Sequence, residues 1–376
     1  MIEYIGVNDH VTDLFEGQYR IPNGMSYNSY LVVGDSIAVM DTVDGHFVDE
    51  WLLRLKEALK GKKPDYLVLL HMEPDHSAGV KKLLERYPET EVVGNSKTFA
   101  ILKQFFPELN IEHMRIVKEN DVLSLGGHEL KFIFAPMVHW PEVMMAYETT
   151  THSLFSADAF GKFGALDIDE GWKEEARRYY IGIVGKYGAQ VQTLLKKLSG
   201  TELENIYPLH GPVLRSPLDE YLALYDRWSA YLPESEGVLI AYASIYGHTK
   251  RAVEYLCESL KEVKCEVFDL ARCDPAEAIA KAFQYPKMIL ATPTYNAEVF
   301  PPVKAFLSGL KERNYQNRKV GIIENGSWAP MAKKYILDFF AGSRGIEFMQ
   351  NAVTIRSAVC HQDEILLDAL AAEIKA

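Results

Sequence analysis

The chain has 376 residues, a formal net charge of −12 and a pI near 5.5; it is too long for one ordinary core, so two domains are expected. Hydrophobic residues make up 48% and charged residues 24%, enough apolar surface to offset the entropy of ordering the chain, which excludes wholesale disorder. The acidic balance offers no broad basic field for a phosphate backbone and excludes nucleic acid as an expected partner.

The opening MIEYIGVNDHVTDLFEG has neither a basic n-region nor an apolar h-region, and no run of about 18 apolar residues follows anywhere. A soluble, cytoplasmic protein with no membrane partner is the expectation. The first half is rich in short β-branched or aromatic runs: SYNSYLVVG, SIAVMDT, YLVLLH, EVVGN, LKFIFAP, MMAYETT and HSLFSA. Gly, Asp, Asn or Pro turns separate them, the pattern of strands. Helical periodicity appears in FVDEWLLRLKEALKG, in AGVKKLLERYP and across 169–200. Clustered strands with helices between and after them predict an α+β layer structure of two sheets between helices. From Gly237 the rhythm changes to VLIAYA, CEVFDL, KMILATPT, KVGIIEN and NAVTI, each followed by a helical stretch. That alternation predicts an α/β, doubly wound parallel sheet. The polar stretch YLPESEG, 231–237, reads as the linker, giving domains 1–236 and 237–376. The four cysteines, Cys257, Cys265, Cys273 and Cys360, form no C-x-x-C pair, so a thiolate-bound zinc or iron–sulfur module is not expected.

Two constellations carry chemistry. The first begins at HMEPDH, where His71, Glu73, Asp75 and His76 are ligand-capable and Pro74 favours a loop leaving a strand. Alone, such a hexapeptide could equally be a solvated polar loop. Its company is His139 in APMVHWPE, Asp158 in LFSADAFG and His210 in IYPLHGP, each at the end of an apolar run and able to project from one sheet edge. Four imidazoles and three carboxylates suffice for two metal ions with one carboxylate between them. Asp41 is either an orienting carboxylate beside this cluster or a turn residue. The remaining histidines stand in turns or polar segments with no ligand-capable company in the sequence and are expected to be surface or structural groups.

The second constellation is a set of loops in the C-terminal half. Ser244, Ile245, Tyr246, Gly247, His248 and Thr249 lie between a strand and a helix, where amides, hydroxyls and the helix dipole favour an anion. No G-x-x-x-x-G-K-[ST] pattern is present, so a phosphate of a mononucleotide fits better than a triphosphate. Thr292, Pro293, Thr294, Tyr295 and Asn296, and then Asn325, Gly326, Ser327 and Trp328, leave later strands on the same side. Tyr295 and Trp328 could flank a flat ring, although either aromatic alone would more often be packing.

The order H-x-[HE]-x-D-H, His, Asp, His resembles the metallo-β-lactamase fold, and Glu73 in place of a second histidine is the variant of the flavodiiron proteins. The three C-terminal loops resemble those of flavodoxins. Together the two resemblances cover essentially the whole chain and imply an N-terminal αββα metallo-β-lactamase-like sandwich followed by a flavodoxin-like sheet. They imply FMN and two non-haem irons: one iron on His71, Glu73 and His139, the other on Asp75, His76 and His210, with Asp158 bridging. The implied reaction is reduction of dioxygen to water or of nitric oxide to nitrous oxide. A separate electron donor, rubredoxin or a reduced deazaflavin, is implied, as is a head-to-tail homodimer or a tetramer built from it. Asn23 stands where relatives often carry a histidine close to the diiron pocket. The competing reading is a dizinc hydrolase with an attached flavodoxin electron carrier; the carboxylate of Glu73 favours iron over it.

Overall fold

Short extended runs dominate the first half because their β-branched and aromatic side chains pack on pleated surfaces, and in the computed structural model, which describes residues 1–376, they form two six-stranded sheets. The chain divides into two compact units, Met1–Asp226 and Arg227–Ala376. In the first unit one sheet runs Ile2–Tyr4, Tyr30–Val33, Ile37–Met40, Tyr66–Val68, Glu91–Gly94 and Met114–Ile116 in spatial order. From Ile37–Met40 onward its strands pair in parallel, and Ile37–Met40 is buried throughout, as a strand covered on both faces must be. The second sheet runs Val122–Ser124, Glu129–Phe134, Met144–Glu148, Ser153–Phe155, Asn205–Tyr207 and Leu214–Arg215. The two sheets meet through aromatic side chains: Tyr30 of the first packs edge-on against Phe155 and Tyr207 of the second at 5.7 and 5.1 Å. Full burial of a ring such as that of Phe155, 1% exposed, contributes roughly 1.5–3 kcal/mol.

The amphipathic helix Val48–Leu59 buries Val48, Trp51, Leu52, Leu55 and Leu59, the i, i+3, i+4 stripe of a core-facing helix. Two expectations about local structure are corrected. The segment HMEPDH is not wholly loop: Pro74–Ser77 is one helical turn with proline at its first position, where the missing N–H costs nothing. Residues 169–200 do not form one helix either, because Trp172–Tyr179 passes through a π-type turn at Tyr180–Val184 before Gly188–Leu198 resumes.

The second unit is an open sheet in the order Cys265–Asp269, Val238–Tyr242, Lys287–Tyr295, Arg318–Asn325 and then Ile346–Phe348 with Val353–Ile355, all in parallel pairs. In sequence order this is 2-1-3-4-5, the doubly wound arrangement of flavodoxin-like sheets. Strand order reverses beside Val238–Tyr242, and ligands of such sheets bind outside the carboxyl ends there. No helix is long and apolar enough to cross a membrane.

Candidate metal centre and flavin cavity

The seven metal-ligand candidates come together, but from two sheets rather than one edge. His71 and Glu73 follow the strand Tyr66–Val68 and Asp75 and His76 sit on the helical turn after it, while His139, Asp158 and His210 follow Glu129–Phe134, Ser153–Phe155 and Asn205–Tyr207 of the other sheet. The residues after Met40 hold the first of these segments in place. Asp41 Oδ1 accepts from the backbone N–H of Leu70 (2.8 Å) and His71 (3.2 Å). Thr42 donates from its hydroxyl to the His76 carbonyl and accepts from the Gly79 N–H. Asp41 therefore fixes the ligand backbone and not an imidazole. At the far side Gly211 follows His210 with φ +81°, and a Cβ there would lie 2.7 Å from Lys162 Cγ; only glycine fits that turn without strain.

The ligand atoms form two clusters. In one, His71 Nε2 and His139 Nε2 lie 3.2 and 3.0 Å from Glu73 Oε2 and 3.5 and 3.2 Å from Asp158 Oδ2. In the other, His76 Nε2 and His210 Nε2 each lie 3.3 Å from Asp75 Oδ2, and 3.1 and 3.8 Å from Asp158 Oδ1. Within each cluster the ligand atoms all lie within 4.8 Å of one another. Donors bound at about 2.1 Å with angles between square and tetrahedral stand about 3.0–3.4 Å apart; six of these eight separations fall in that window and only the two longer contacts of Asp158 exceed it, so the spacing suits atoms that share an ion. Asp158 directs one oxygen to each cluster.

Satisfaction of the polar atoms gives an independent test of fit. Both carboxylate oxygens of Asp75, Oδ1 of Asp158, and Nε2 of His76 and of His210 are buried without a hydrogen-bond partner. Several are close to one another yet lack hydrogen-bond alignment, and buried polar groups left so are costly unless a cation pairs them. Burial disfavours charge on His71, but Asp158, Glu142 and Glu73 outweigh it and hold the imidazole well above its usual range. His139 is likewise opposed by burial and pushed up to about 9 by Asp158 and Glu73. Burial pushes the Asp75 carboxyl up to about 7, whereas His71 and His76 overcome burial and keep Asp158 well below the carboxylate range. For His210 burial wins and the imidazole is lowered. So much converging negative charge out of water is suited to hard cations, and a donor set of four imidazoles and three carboxylates fits a pair of irons.

Three features were not singled out from the sequence. Glu142 Oε1 accepts from His71 Nδ1 and from the Met72 N–H, both at 2.9 Å, which turns Nε2 of His71 toward the cluster. The Ser26 carbonyl accepts from His210 Nδ1 at 2.7 Å and does the same for that ring. Phe15, Tyr27 and Tyr179 enclose His210 at ring separations of 5.4, 5.8 and 5.5 Å, and the buried Tyr179 hydroxyl has no hydrogen-bond partner. A carboxylate three residues beyond His139 was the only sequence signal for Glu142. Asn23, expected near the metals, is exposed and donates to Glu170 Oε2 at 2.7 Å; the other oxygen of Glu170 accepts from the buried Lys162 at 2.7 Å.

In the second unit a cavity of about 640 Å³ opens at the carboxyl ends of the strands, lined by Ser244, Ile245, Tyr246, His248, Thr249, Pro293, Thr294, Asn296, Asn325, Gly326, Ser327 and Trp328 among others. Gly247, Thr292 and Tyr295 are outside the lining. Gly247 takes φ +92° and donates its N–H to Ser244 Oγ, closing the loop before the helix His248–Ser259. Tyr295 packs edge-on against Phe300 at 5.4 Å. It sits at the end of an extended strand that turns back as a hairpin through Asn296 and Ala297, both at positive φ, and not in a free loop. Tyr246 and Trp328, 89% and 81% exposed, are the aromatic walls instead. The lining also includes Ala297, Ala329, Met331 and Ser357, which no sequence pattern marked. An open, uncharged slot between aromatic rings, ending at a helix N-terminus, fits a flat ring carrying a phosphate.

A two-sheet domain with a buried His and carboxylate cluster, joined to a flavodoxin-like sheet, defines a redox protein of two parts. Residues 25–211 match the ODP family beta lactamase, and residues 239–351 match the flavodoxin domain family. The anaerobic nitric oxide reductase flavorubredoxin of Escherichia coli is 28% identical over 346 residues, 87% of this chain and 71% of that protein. The rubredoxin oxygen:oxidoreductase of Desulfovibrio gigas superposes with a TM-score of 0.91 at 25% identity, covering 99% of this chain and 96% of that one. The flavodiiron protein of Giardia intestinalis shares the fold, with a TM-score of 0.89 at 24% identity over 100% of this chain and 95% of that one. The two domain families in this order, with matches along the whole chain to flavodiiron proteins, give it the architecture of a flavodiiron oxidoreductase, and its flavodoxin domain implies FMN.

Proposed function

We propose that this protein reduces a diatomic gas, dioxygen to water or nitric oxide to nitrous oxide and water, at two irons fed with electrons through FMN. His71, Glu73 and His139 would hold one iron and Asp75, His76 and His210 the other, with Asp158 shared. The observation that carries the reading is Asp158, whose two carboxylate oxygens face different clusters at 3.1–3.8 Å from two imidazoles each. When bound, the irons supply a redox-active pair that can take up a diatomic gas, and FMN supplies the electrons. The chain's own part is to set that chemistry up. Glu142 and the Ser26 carbonyl fix the tautomers of His71 and His210. Phe15, Tyr27 and Tyr179 wall one side of the centre with rings and exclude water there. The Tyr179 hydroxyl, buried and unpartnered, would be available to donate a hydrogen bond to a substrate held beside it.

One relative named above is a nitric oxide reductase and another an oxygen reductase, which supports both gases as substrates of one centre. A separate donor, rubredoxin or a reduced deazaflavin, would reduce the FMN, and a head-to-tail homodimer would set the flavin of one chain against the irons of the other. Stopped-flow mixing of the reduced, iron- and FMN-loaded protein with each gas tests the reading. Fast oxidation by at least one gas, with reducing equivalents consumed in the ratio its product requires, is expected. Slow, substoichiometric oxidation by both gases, or zinc as the sole metal of the purified protein, defeats it.

A further inference from the structure

Met114–Ile116 is the last strand of the first sheet, and of all the strands in the two six-stranded sheets it alone has every residue exposed. Strands form where at least one face packs, so a short edge strand bare on both faces lacks the usual support. Met114 is 53% and Ile116 58% exposed. The chain then crosses to the edge strand of the second sheet, where Val122 is 52% exposed. By contrast, the first sheet's other edge, Ile2–Tyr4, is half-buried throughout.

The backbone of this strand is as open as its side chains. The His113 carbonyl accepts from the Val92 N–H, and the Val117 N–H donates to the Gly94 carbonyl, so by alternation Arg115 also faces the neighbouring strand. The N–H and C=O groups of Met114 and Ile116 therefore point outward from the sheet, a free template for another strand. The Arg115 side chain lies back over its own sheet, bound to both oxygens of Glu91 at 2.8 and 3.1 Å and 5.2 Å from the Tyr66 ring. Met114 and Ile116 take the opposite face, with Glu112 and Lys118 next in the same period. His113 and Arg115 have Glu89 and Glu91 as ion partners, whereas the exposed Glu112 and Lys118 have none within the chain.

We propose that this edge pairs with the same edge of a second copy of the chain, antiparallel about a twofold axis at Arg115. In that register Met114 of one copy stands opposite Ile116 of the other, joined by their outward backbone groups, and Glu112 stands opposite Lys118. Both matches recur across the axis, so the pattern Glu, Met, Ile, Lys is complementary to its own reverse, as a closed twofold interface requires. A strand from an unrelated protein would use the same backbone groups but would not be selected by the charges at both ends; the self-complementary ends favour a second copy.

This contact is separate from the head-to-tail dimer. The metal ligands follow the carboxyl ends of the strands, and there the partner's flavin would face them, whereas an edge pairs sideways, across the strands and in the plane of the sheet. The head-to-tail reading enters only in the count of chains: edge pairing would join two such dimers into a tetramer, with the contact made twice. So short a strand pair buries little area alone, and repetition is what lets it hold.

Sedimentation of the holoprotein over a range of concentrations tests the contact, whichever gas the metal centre reduces. The M114E/I116E variant, which sets carboxylate opposite carboxylate beside the axis, should halve the particle mass. E112K and K118E should each raise the dissociation constant of that step about tenfold, since each reversal turns two attractive cross-strand pairs into repulsive ones. The E112K/K118E double variant should restore it. Damage to the surface alone would not be repaired in this way, and the charge series carries the test if M114E/I116E does not fold. A particle of four chains falling to two supports edge pairing between head-to-tail dimers. Two chains falling to one supports edge pairing and removes the head-to-tail reading instead. Single chains throughout, a mass that none of these substitutions changes, or single reversals that the double variant does not restore overturn the proposal.

Discussion

Asp158 is where the two ligand clusters meet, and its worth can be measured. Asp158→Asn keeps the shape but removes the charge and one oxygen donor, so one cluster loses its shared ligand and the other keeps a neutral one. Metal content should drop from two ions per chain to one or fewer, with FMN at parent levels, by elemental analysis and absorbance; two retained irons would refute the bridging role. Glu142 acts one step further out. Its Oε1 holds both His71 Nδ1 and the Met72 N–H at 2.9 Å, and removing such a partner typically weakens metal binding about 10–100-fold. Glu142→Ala should therefore lose iron to a chelator at concentrations the parent resists, while Glu142→Gln, which keeps an acceptor, should lose less. At this scale the ligand candidates and their convergence were legible in the sequence because their chemistry is local: imidazoles and carboxylates at the ends of apolar runs. Glu142, Ser26 and Tyr179 were not, since nothing in their neighbourhoods distinguishes a carboxylate, carbonyl or ring that faces a ligand from one that faces solvent.

The elements deliver these residues, and the hairpin that leads to Asp158 depends on a buried carboxylate. Glu148, at the end of the strand Met144–Glu148, accepts from the N–H groups of Thr150 and Thr151 and pairs with His128 at 3.1 Å. Burial opposes its charge, but the Thr151 hydroxyl and these N–H groups prevail and hold its pKa at about 2, below the ordinary 4.5. A depressed carboxylate contributes stability that is complete above about pH 4.5 and is lost as pH falls through about 2. Glu148→Gln should cost about 1–3 kcal/mol at neutral pH, and the gap between variant and parent should close progressively below pH 4.5 in thermal melts. A gap that stays constant down to pH 2 would show that the turn does not rely on charge. Strands and amphipathic helices were readable here from their periods of 2 and 3.6. The π-type turn at Tyr180–Val184 was not, because its apolar run satisfies helical periodicity while Tyr179 and Tyr180 are both claimed by the core. The hairpin at Asn296 and Ala297 was hidden for a similar reason: positive φ at alanine carries no compositional signal.

At the scale of the whole molecule the sequence already separates two chemistries, with all seven metal-ligand candidates before residue 226 and the whole flavin cavity after residue 227. Each set closes on its own backbone. The metal cluster is held by Asp41, Thr42, Ser26 and Glu142, all in the first unit. The flavin cavity is held by contacts such as Asn325 with Ser357 and Thr294 with Met331, all in the second. No hydrogen bond in either set draws on the other unit, so loss of one cofactor should not propagate to the other through local structure. His76→Ala removes one of three donors from the Asp75, His76 and His210 cluster and leaves the doubly wound sheet untouched. The purified variant should carry less iron at that position, with the other position largely filled and one FMN per chain. Its flavin should still be reduced by a donor at the parent rate, and only the later oxidation by gas should slow. Joint loss of iron and FMN would show instead that the two units fold as one cooperative whole, and the division of labour drawn from the ligand sets would be wrong.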